Sequence, residues 1–443
     1  MVDLRAIYNA FNIDEPLPAS DDSRYVDLSD VWGSRISQKL TQRIKNSEFK
    51  SSHHLVMGHT KCGKTTELNR TARLLEKDNY IVISFDVAEV ATRTFEYSTV
   101  ILLIAGQIVE QLSERDINVE GLNTEELMDF LAQKEITVSR ELSGDVTGKA
   151  EVKPGFLTRV LGEFGLGIEL RGGFKRGREI TTKIEADYGN FLEAIVKIVE
   201  DARSKVWEAG YKDLIVICDG CDKLAISAAD EHGNLYDLQR SMFVDHATDL
   251  QSIPCHVIYT VPISIPQNLG DVWEQTPEIV PAIPVAALPK IDDSYPRAGR
   301  KALEEVVSRR LEQAGTSIEE LFEDTDLLNQ LIDVSGGHIS DLLLLVREAV
   351  LDAQTRGENL INKSHTNRSI LGRALEYTRL IEGKYLPTLT TIDQFKSALG
   401  NSDEYRELIF KRLVLEYVCG TDSRVDLHPL VAASESYRRW SDN

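Results

Sequence analysis

The sequence predicts an α/β fold: a parallel, doubly wound sheet, then a helical region, then a small C-terminal unit of helices and two strands. Three observations carry this prediction. A short apolar run, His54-Leu55-Val56-Met57, leads through a glycine-bounded loop into an amphipathic stretch from Glu67 to Leu75. Further strand-like runs at Asn79–Asp86, Asp213–Cys218 and Cys255–Val261 alternate with helix-spaced segments at Ser98–Leu112 and Tyr188–Ala209. Such alternation belongs to parallel strands joined by crossover helices. After Pro289 the strand signals give way to helical spacing at Ala298–Ala314, Ile318–Val334 and His338–Thr355.

Taken in order, residues 1–50 read as a lead-in segment: a short helix, a Pro/Asp/Ser-rich turn and the helix Ser34–Lys45. Residues 51–289 read as the sheet-bearing core, 290–385 as a helical lid and 386–443 as a separate C-terminal domain. In that last part, Pro387–Leu399 and Ser402–Leu413 have helical spacing, and Val414–Tyr417 and Arg424–His428 flank a polar turn. Two helices followed by a two-stranded wing predict a winged-helix domain. Within the core, about 141–185 stands apart. Residues 142–185 hold nine of the 28 glycines and eight Lys/Arg against six Asp/Glu, in a chain whose net charge is -21. This insertion is either a solvated loop or a regulatory, partner-binding arm.

The charge excludes a wholly basic nucleic-acid coat, although a local patch remains open. There is no 18-residue apolar run and no signal-peptide pattern at the start, so a cytoplasmic protein without membrane contact is expected. The five cysteines show no disulfide framework, in keeping with a reducing compartment. Cys218 and Cys221 have the spacing of a zinc pair, but no two further ligands stand at suitable spacing.

The loop itself carries the chemistry. Gly58-His59-Thr60-Lys61-Cys62-Gly63-Lys64-Thr65-Thr66 has the G-x-x-x-x-G-K-[ST] form of a phosphate-binding P-loop, in the strand–loop–helix setting it needs. Backbone N–H groups and the positive end of a helix dipole receive phosphate oxygens. Lys64 is expected to reach the β- and γ-phosphates of ATP, and the Thr65 hydroxyl to bind Mg²⁺. Leu214–Asp222 is an apolar strand ending in an acid, as a Walker B element requires. Asp219 is the expected second Mg²⁺ ligand, and Asp222 a candidate for orienting the attacking water. Gly220 stands where such sites usually carry a Glu, so slow hydrolysis is expected. Thr260, at the end of another strand, is a candidate contact to the γ-phosphate or the water. Arg309 and Arg310 are candidate phosphate or subunit contacts, or solvated surface arginines.

The succession of these motifs resembles the bacterial STAND-type ATPases, AAA+-related P-loop proteins near the Orc/Cdc6-like group. The residues that carry it are Gly58 through Leu68, Leu214 through Lys223, Val257 through Ile263, and Ser335-Gly336-Gly337 through Leu343. The resemblance runs from about Tyr25 to Pro429. It implies a P-loop NTPase core, a helical lid, a winged helix and an ATP/ADP-controlled switch. Such switches are often homo-oligomeric when active and frequent in defence or stress systems. It also places Tyr25 and Val26 in the adenine pocket. The lid arginine of the family falls at Ser340 here, and Arg347 is no substitute for it. No repeat sensor domain is evident, so the resemblance implies an effector or sensor protein as partner. The expectation is a slowly hydrolysing regulatory ATPase. The alternatives are a nucleic-acid-acting AAA+ ATPase, whose basic arm (Arg171, Lys175, Arg176, Arg178) would grip DNA, and a nucleotide-bound scaffold without turnover. DNA is the less favoured partner because the wing turn Gly420-Thr421-Asp422-Ser423 is acidic.

Overall fold

The computed structural model describes the chain except residues 1–2, 14–15, 19, 22, 48–49, 88–96, 120–121, 123–126, 128–183, 185–186, 224–238, 266–268, 289–291, 399, 401, 420–421 and 442–443. The Gly-rich insertion, with Arg171, Lys175, Arg176 and Arg178, therefore lies outside the described residues apart from Ile184. So do Gly420 and Thr421 of the wing turn.

Helices α1 (Leu4–Ala10), α2 (Ser29–Trp32) and α3 (Ile36–Asn46) precede the sheet. The core then runs β1 (His53–Gly58), α4 (Lys64–Lys77), β2 (Ile81–Asp86), α5 (Tyr97–Glu114), α6 (Tyr188–Glu208), β3 (Leu214–Asp219), β4 (His256–Pro262) and β5 (Glu278–Val280). The five strands form one sheet in the order β2-β3-β4-β1-β5, and every pairing is parallel. Strand β5, three residues long, has no counterpart in the sequence prediction.

Both faces of the sheet are covered, as a parallel sheet requires. Successive side chains point to opposite faces. Leu55, Val216 and Cys218 join one cluster with α5 and α6, while Val56, Ile215 and Ile217 join another with α1, α3, α4 and the lid.

The region expected to form a lid comprises α7 (Ser294–Gln313), a turn at Ile318–Leu321, α8 (Thr325–Val334), α9 (Ile339–Arg356) and α10 (Lys363–Leu380). Two sequence expectations change here. The single helix Ile318–Val334 is broken, because Phe322 is extended and bridges to Ile361. The Asp324 carboxylate then accepts from the N–H of Asp326 and starts α8 afresh, as an N-cap does. Helix α10 was not expected. Leu371 and Leu375 on it are exposed, so its apolar stripe is unclear in the sequence.

The chain closes with α11 (Leu386–Phe395), α12 (Asp403–Phe410), the antiparallel pair β6 (Val414–Cys419) and β7 (Asp422–Leu427), and two short helices, α13 (Pro429–Ala432) and α14 (Glu435–Ser441). These have their own core around Leu389, Leu408, Val414 and Leu430. The unit also touches the rest. Ala282 donates its N–H to Glu416 O at 3.0 Å, and Ala282 and Leu288 form a small apolar cluster with Leu415 and Tyr417. Among the described residues no helix is long and apolar enough to cross a membrane.

Candidate nucleotide site

Strand β1 lies between β4 and the edge strand β5, and the loop that leaves it emerges at the sheet's C-terminal edge. Ligands of open α/β sheets bind at that edge. Gly63 ends the loop with φ +111°, a backbone region that side chains rarely adopt, and α4 begins at Lys64. A cavity of about 640 Å³ opens there, lined by Lys61, Gly63, Lys64, Thr65 and Thr66 from the loop, and by Asp219 and Asp222 from the end of β3. Ile339, Ser340 and Arg310 line it from the lid.

Two contacts organise its floor. The Thr65 hydroxyl donates to Asp219 Oδ2 at 2.5 Å. The Lys64 ammonium pairs with Asp222 Oδ2 at 2.9 Å and donates to the carbonyls of Gly58 and His59 at 3.0 and 2.8 Å. All three charged groups are buried, Lys64 5 %, Asp219 5 % and Asp222 3 % exposed. Burial pulls the Lys64 ammonium down, but Asp222 and Asp219 outweigh it and hold it above its usual value. Burial, with the charge of Asp222, raises the Asp219 carboxyl. The Lys64–Asp222 pair therefore neutralises the charge where phosphates are expected.

Asp222 Oδ1 is buried and has no hydrogen-bond partner among the described residues. With the Thr65 hydroxyl and the Asp219 carboxylate, it makes a patch of hard oxygen donors at the cavity floor. That donor set fits Mg²⁺, which takes few carboxylates and keeps water and phosphate as its other ligands.

Other predicted positions point elsewhere. Gly58, His59, Thr60 and Cys62 do not line the cavity. A Cβ on Gly58 would come within 2.5 Å of Val280 O, because β5 packs against it. His59 Nε2 accepts the N–H of Glu416 at 2.9 Å. The carbonyl of Thr60 accepts from His338 Nε2 at 2.9 Å. The buried Cys62 thiol donates to Val280 O at 3.2 Å. These four residues, His59 and Cys62 through their side chains and Thr60 through its carbonyl, tie the loop to its surroundings instead of facing a ligand. Thr260 also lies outside the cavity lining. It is fully buried, and its hydroxyl accepts the N–H of Cys221 at 3.1 Å, which fixes the turn after β3.

Tyr25 and Val26 line a narrow recess beside the main cavity, together with Gly63, Thr66, Glu67 and Arg310. The Tyr25 hydroxyl donates to Glu67 Oε1 at 3.0 Å, and the Arg70 guanidinium lies 3.6 Å from its ring centre. Arg309 reaches the carbonyl of Tyr25 and the Glu305 carboxylate, so it braces the lead-in segment. Ser340 lines the cavity, whereas Arg347 lies over the Tyr8 ring.

The sequence reading passed over two charged lining residues, Asp86 and Lys223. Lys223 Nζ donates to Asp86 Oδ2 at 2.5 Å across the cavity mouth. Asp86 ends β2 as Asp219 ends β3, and that parallel was the signal available for it.

No family model matches the chain, and no curated protein matches it. Among solved structures, the chain is similar to the Aeropyrum pernix ORC2 protein in its ADPNP-ADP complexes, at a TM-score of 0.45 and 10% identity, over 98% of this chain and 96% of that one. It is similar to the Aeropyrum pernix ORC1 protein in complex with DNA at a TM-score of 0.41 and 13% identity, over 95% and 97%. It is similar to a Walker-type ATPase of Pyrococcus abyssi at 0.39 and 13%, over 96% and 98%.

Proposed function

We propose that this chain is an ATP-binding, slowly hydrolysing regulatory ATPase that uses nucleotide to switch its lid and C-terminal unit between arrangements. The observation that carries the proposal is the pairing of Lys64 with Asp222 and of Thr65 with Asp219 on the floor of one cavity. In this reading the chain has a lead-in segment at 1–50, a P-loop NTPase core at 51–289, a helical lid at 290–385 and a winged-helix domain at 386–443.

The residues divide the work as follows. Lys64 leaves Asp222 and moves onto the β- and γ-phosphate oxygens. Thr65 and Asp219 would hold Mg²⁺, and the ion would neutralise charge on the phosphates. Asp222, freed from Lys64, orients a water for in-line attack. Positioned charge supplies most of the catalysis, since phosphoryl transfer asks little covalent chemistry of the protein. Turnover is slow because Gly220 leaves no carboxylate directly after Asp219, and Asp222 is shared with Lys64. Tyr25 and Val26 lie beside the base. A homo-oligomer and an effector or sensor protein are the proposed partners. A role in bacterial defence rests on the family resemblance alone.

The test is to measure ATP turnover and mass in solution together, with and without double-stranded DNA. Slow turnover with ATP-dependent assembly, indifferent to DNA, supports the switch. Turnover stimulated by DNA and lost in high salt replaces it with the nucleic-acid reading, as phosphate contacts would behave. Unaltered ATP affinity in Lys64→Ala overturns the site.

A further inference from the structure

The lid arginine expected from the family resemblance is missing at Ser340, yet the cavity has a lid guanidinium. Arg310, near the end of α7, is only 7 % exposed. Its hydrogen bond among the described residues runs from Nη1 to the carbonyl of Val306, one turn back on its own helix, at 3.0 Å. No carboxylate among the described residues stands within ion-pair distance of it. Asp21, the nearby acid that acts on it, is already held by Arg24. Burial, and then the like charge of Arg24, pull Arg310 down to about 10. An arginine stays charged at neutral pH even so. A buried charge without a counter-ion is destabilising, and a fold keeps one where a ligand supplies the missing charge.

Its position names the ligand group. Arg310 lines both the main cavity over Lys64 and Thr65 and the recess beside Tyr25 and Val26. Gly63, Thr66, Leu17 and Ile339 are shared by the two chambers as well, so Arg310 stands at their join. A nucleotide with its terminal phosphates on Lys64 and its base beside Tyr25 has its ribose-linked phosphate at that join.

We propose that Arg310 binds the α-phosphate of the nucleotide and so ties the first lid helix to ligand occupancy. This rests on the nucleotide reading of the site. It makes the lid respond to the presence of nucleotide rather than to the γ-phosphate, because ATP and ADP both carry the α-phosphate. The lid closes on either and loosens when the site empties.

The experiment compares wild type, Arg310→Met and Arg310→Lys by calorimetric titration with ATP and ADP, and by thermal melting of the nucleotide-free protein. In Arg310→Met the Kd for ATP and for ADP should both rise by at least about tenfold, the loss expected for a charge-assisted contact. The Tm of the nucleotide-free protein should rise, because an uncompensated buried charge is gone. Arg310→Lys keeps the charge but loses the planar fork, and should fall between the two. Unchanged affinities in both variants overturn the proposal. A lower nucleotide-free Tm with unchanged affinities makes Arg310 structural only. Weakened ATP with unaltered ADP moves the contact to the γ-phosphate and overturns the α-phosphate assignment. Should Arg310→Met fail to fold, unchanged affinity in Arg310→Lys still refutes the bidentate contact. Wild type that binds neither nucleotide fails the site reading itself, and Arg310 falls with it.

Discussion

At the scale of single residues, the Lys64–Asp222 pair is the main finding. Both side chains are buried and 2.9 Å apart, so each is the other's counter-charge while phosphate is absent. Removing one partner of a buried pair leaves an uncompensated charge, at a cost of about 3–5 kcal/mol. Asp222→Asn should therefore lower the stability of the nucleotide-free protein by about that much. The same change frees Lys64 for phosphate, so ATP binding should tighten and give back stability on titration. Turnover should fall by about a hundredfold if Asp222 orients the water. A steady-state assay with a parallel melting curve reads both effects, and full turnover in Asp222→Asn removes Asp222 from the mechanism. The spacing in the sequence made Lys64, Thr65 and Asp219 legible, because G-x-x-x-x-G-K-T and an apolar run ending in acid are local patterns. The roles of Cys62 and Thr260 were not legible. Their partners, Val280 O and Cys221 N, come from other strands and the turn after β3, and only the folded register brings them together. Arg310 could not be told from Arg309 beside it, since one position of helical rotation separates a buried guanidinium from a half-buried one.

At the scale of elements, β1 opens with two histidines that the fold keeps neutral. Burial, the larger cause, lowers His53 and His54 to about 4, although each ring has a partner, Ile253 O at 3.0 Å and Gln275 Oε1 at 2.7 Å. Burial also lowers His59, His338 and His428. In the unfolded chain these imidazoles take up protons near pH 6.5, while the folded chain resists it. The unfolded state then binds more protons below pH 6.5, and stability falls as the pH drops from there towards 4. His53 and His54 each contribute a slope of about 1.4 kcal/mol per pH unit in that window. Melting curves from pH 8 to pH 5 should show a level Tm above neutrality and a steep fall below pH 6.5, and a flat profile refutes the neutral assignment. A second element-scale feature is the junction of α9 and α10. Asp341, 1 % exposed, accepts from Tyr377 Oη at 2.8 Å and His428 Nε2 at 3.2 Å, and pairs with Arg373 at 2.5 Å. Burial alone would raise its carboxyl, yet His338 first, then His428 and Arg412, hold it well below the usual range. Asp341→Asn should destabilise the protein by about 3–5 kcal/mol and loosen α10 from α9, read as a lower urea midpoint. An unshifted midpoint would show the network to be idle.

Across the whole molecule, the loop groups that turn away from the cavity connect it to everything else. His59 Nε2 accepts from Glu416 on β6, and His338 Nε2, at the start of α9, donates to the carbonyl of Thr60. Tyr417 Oη donates to Gly336 O at 2.8 Å, and Gly337 has no room for a side chain, since a Cβ would lie 1.6 Å from Ile283 O. Sheet, lid and hairpin thus meet within a few residues of the phosphate loop. No local pattern signals this: His59 and Glu416 are 357 positions apart, and nothing in either one's neighbours marks the pairing. The α/β core was legible because its strands are continuous apolar runs buried on both faces, whereas β5 has only three residues and offers no run to read. The convergence has a testable consequence. If nucleotide fixes the loop, it also fixes His59, and through it the amide of Glu416 on β6. Hydrogen exchange at the β6 amides should then slow when ATP is added to wild type, since protection reports local opening. His59→Ala removes the acceptor while leaving Lys64, Thr65 and Asp219 in place. In that variant ATP should still protect the residues of α4, but β6 should exchange at its nucleotide-free rate. Equal protection of β6 in wild type and His59→Ala would mean that the hairpin is held by the Ala282–Glu416 and Tyr417–Gly336 bonds alone, and that the loop does not signal through it.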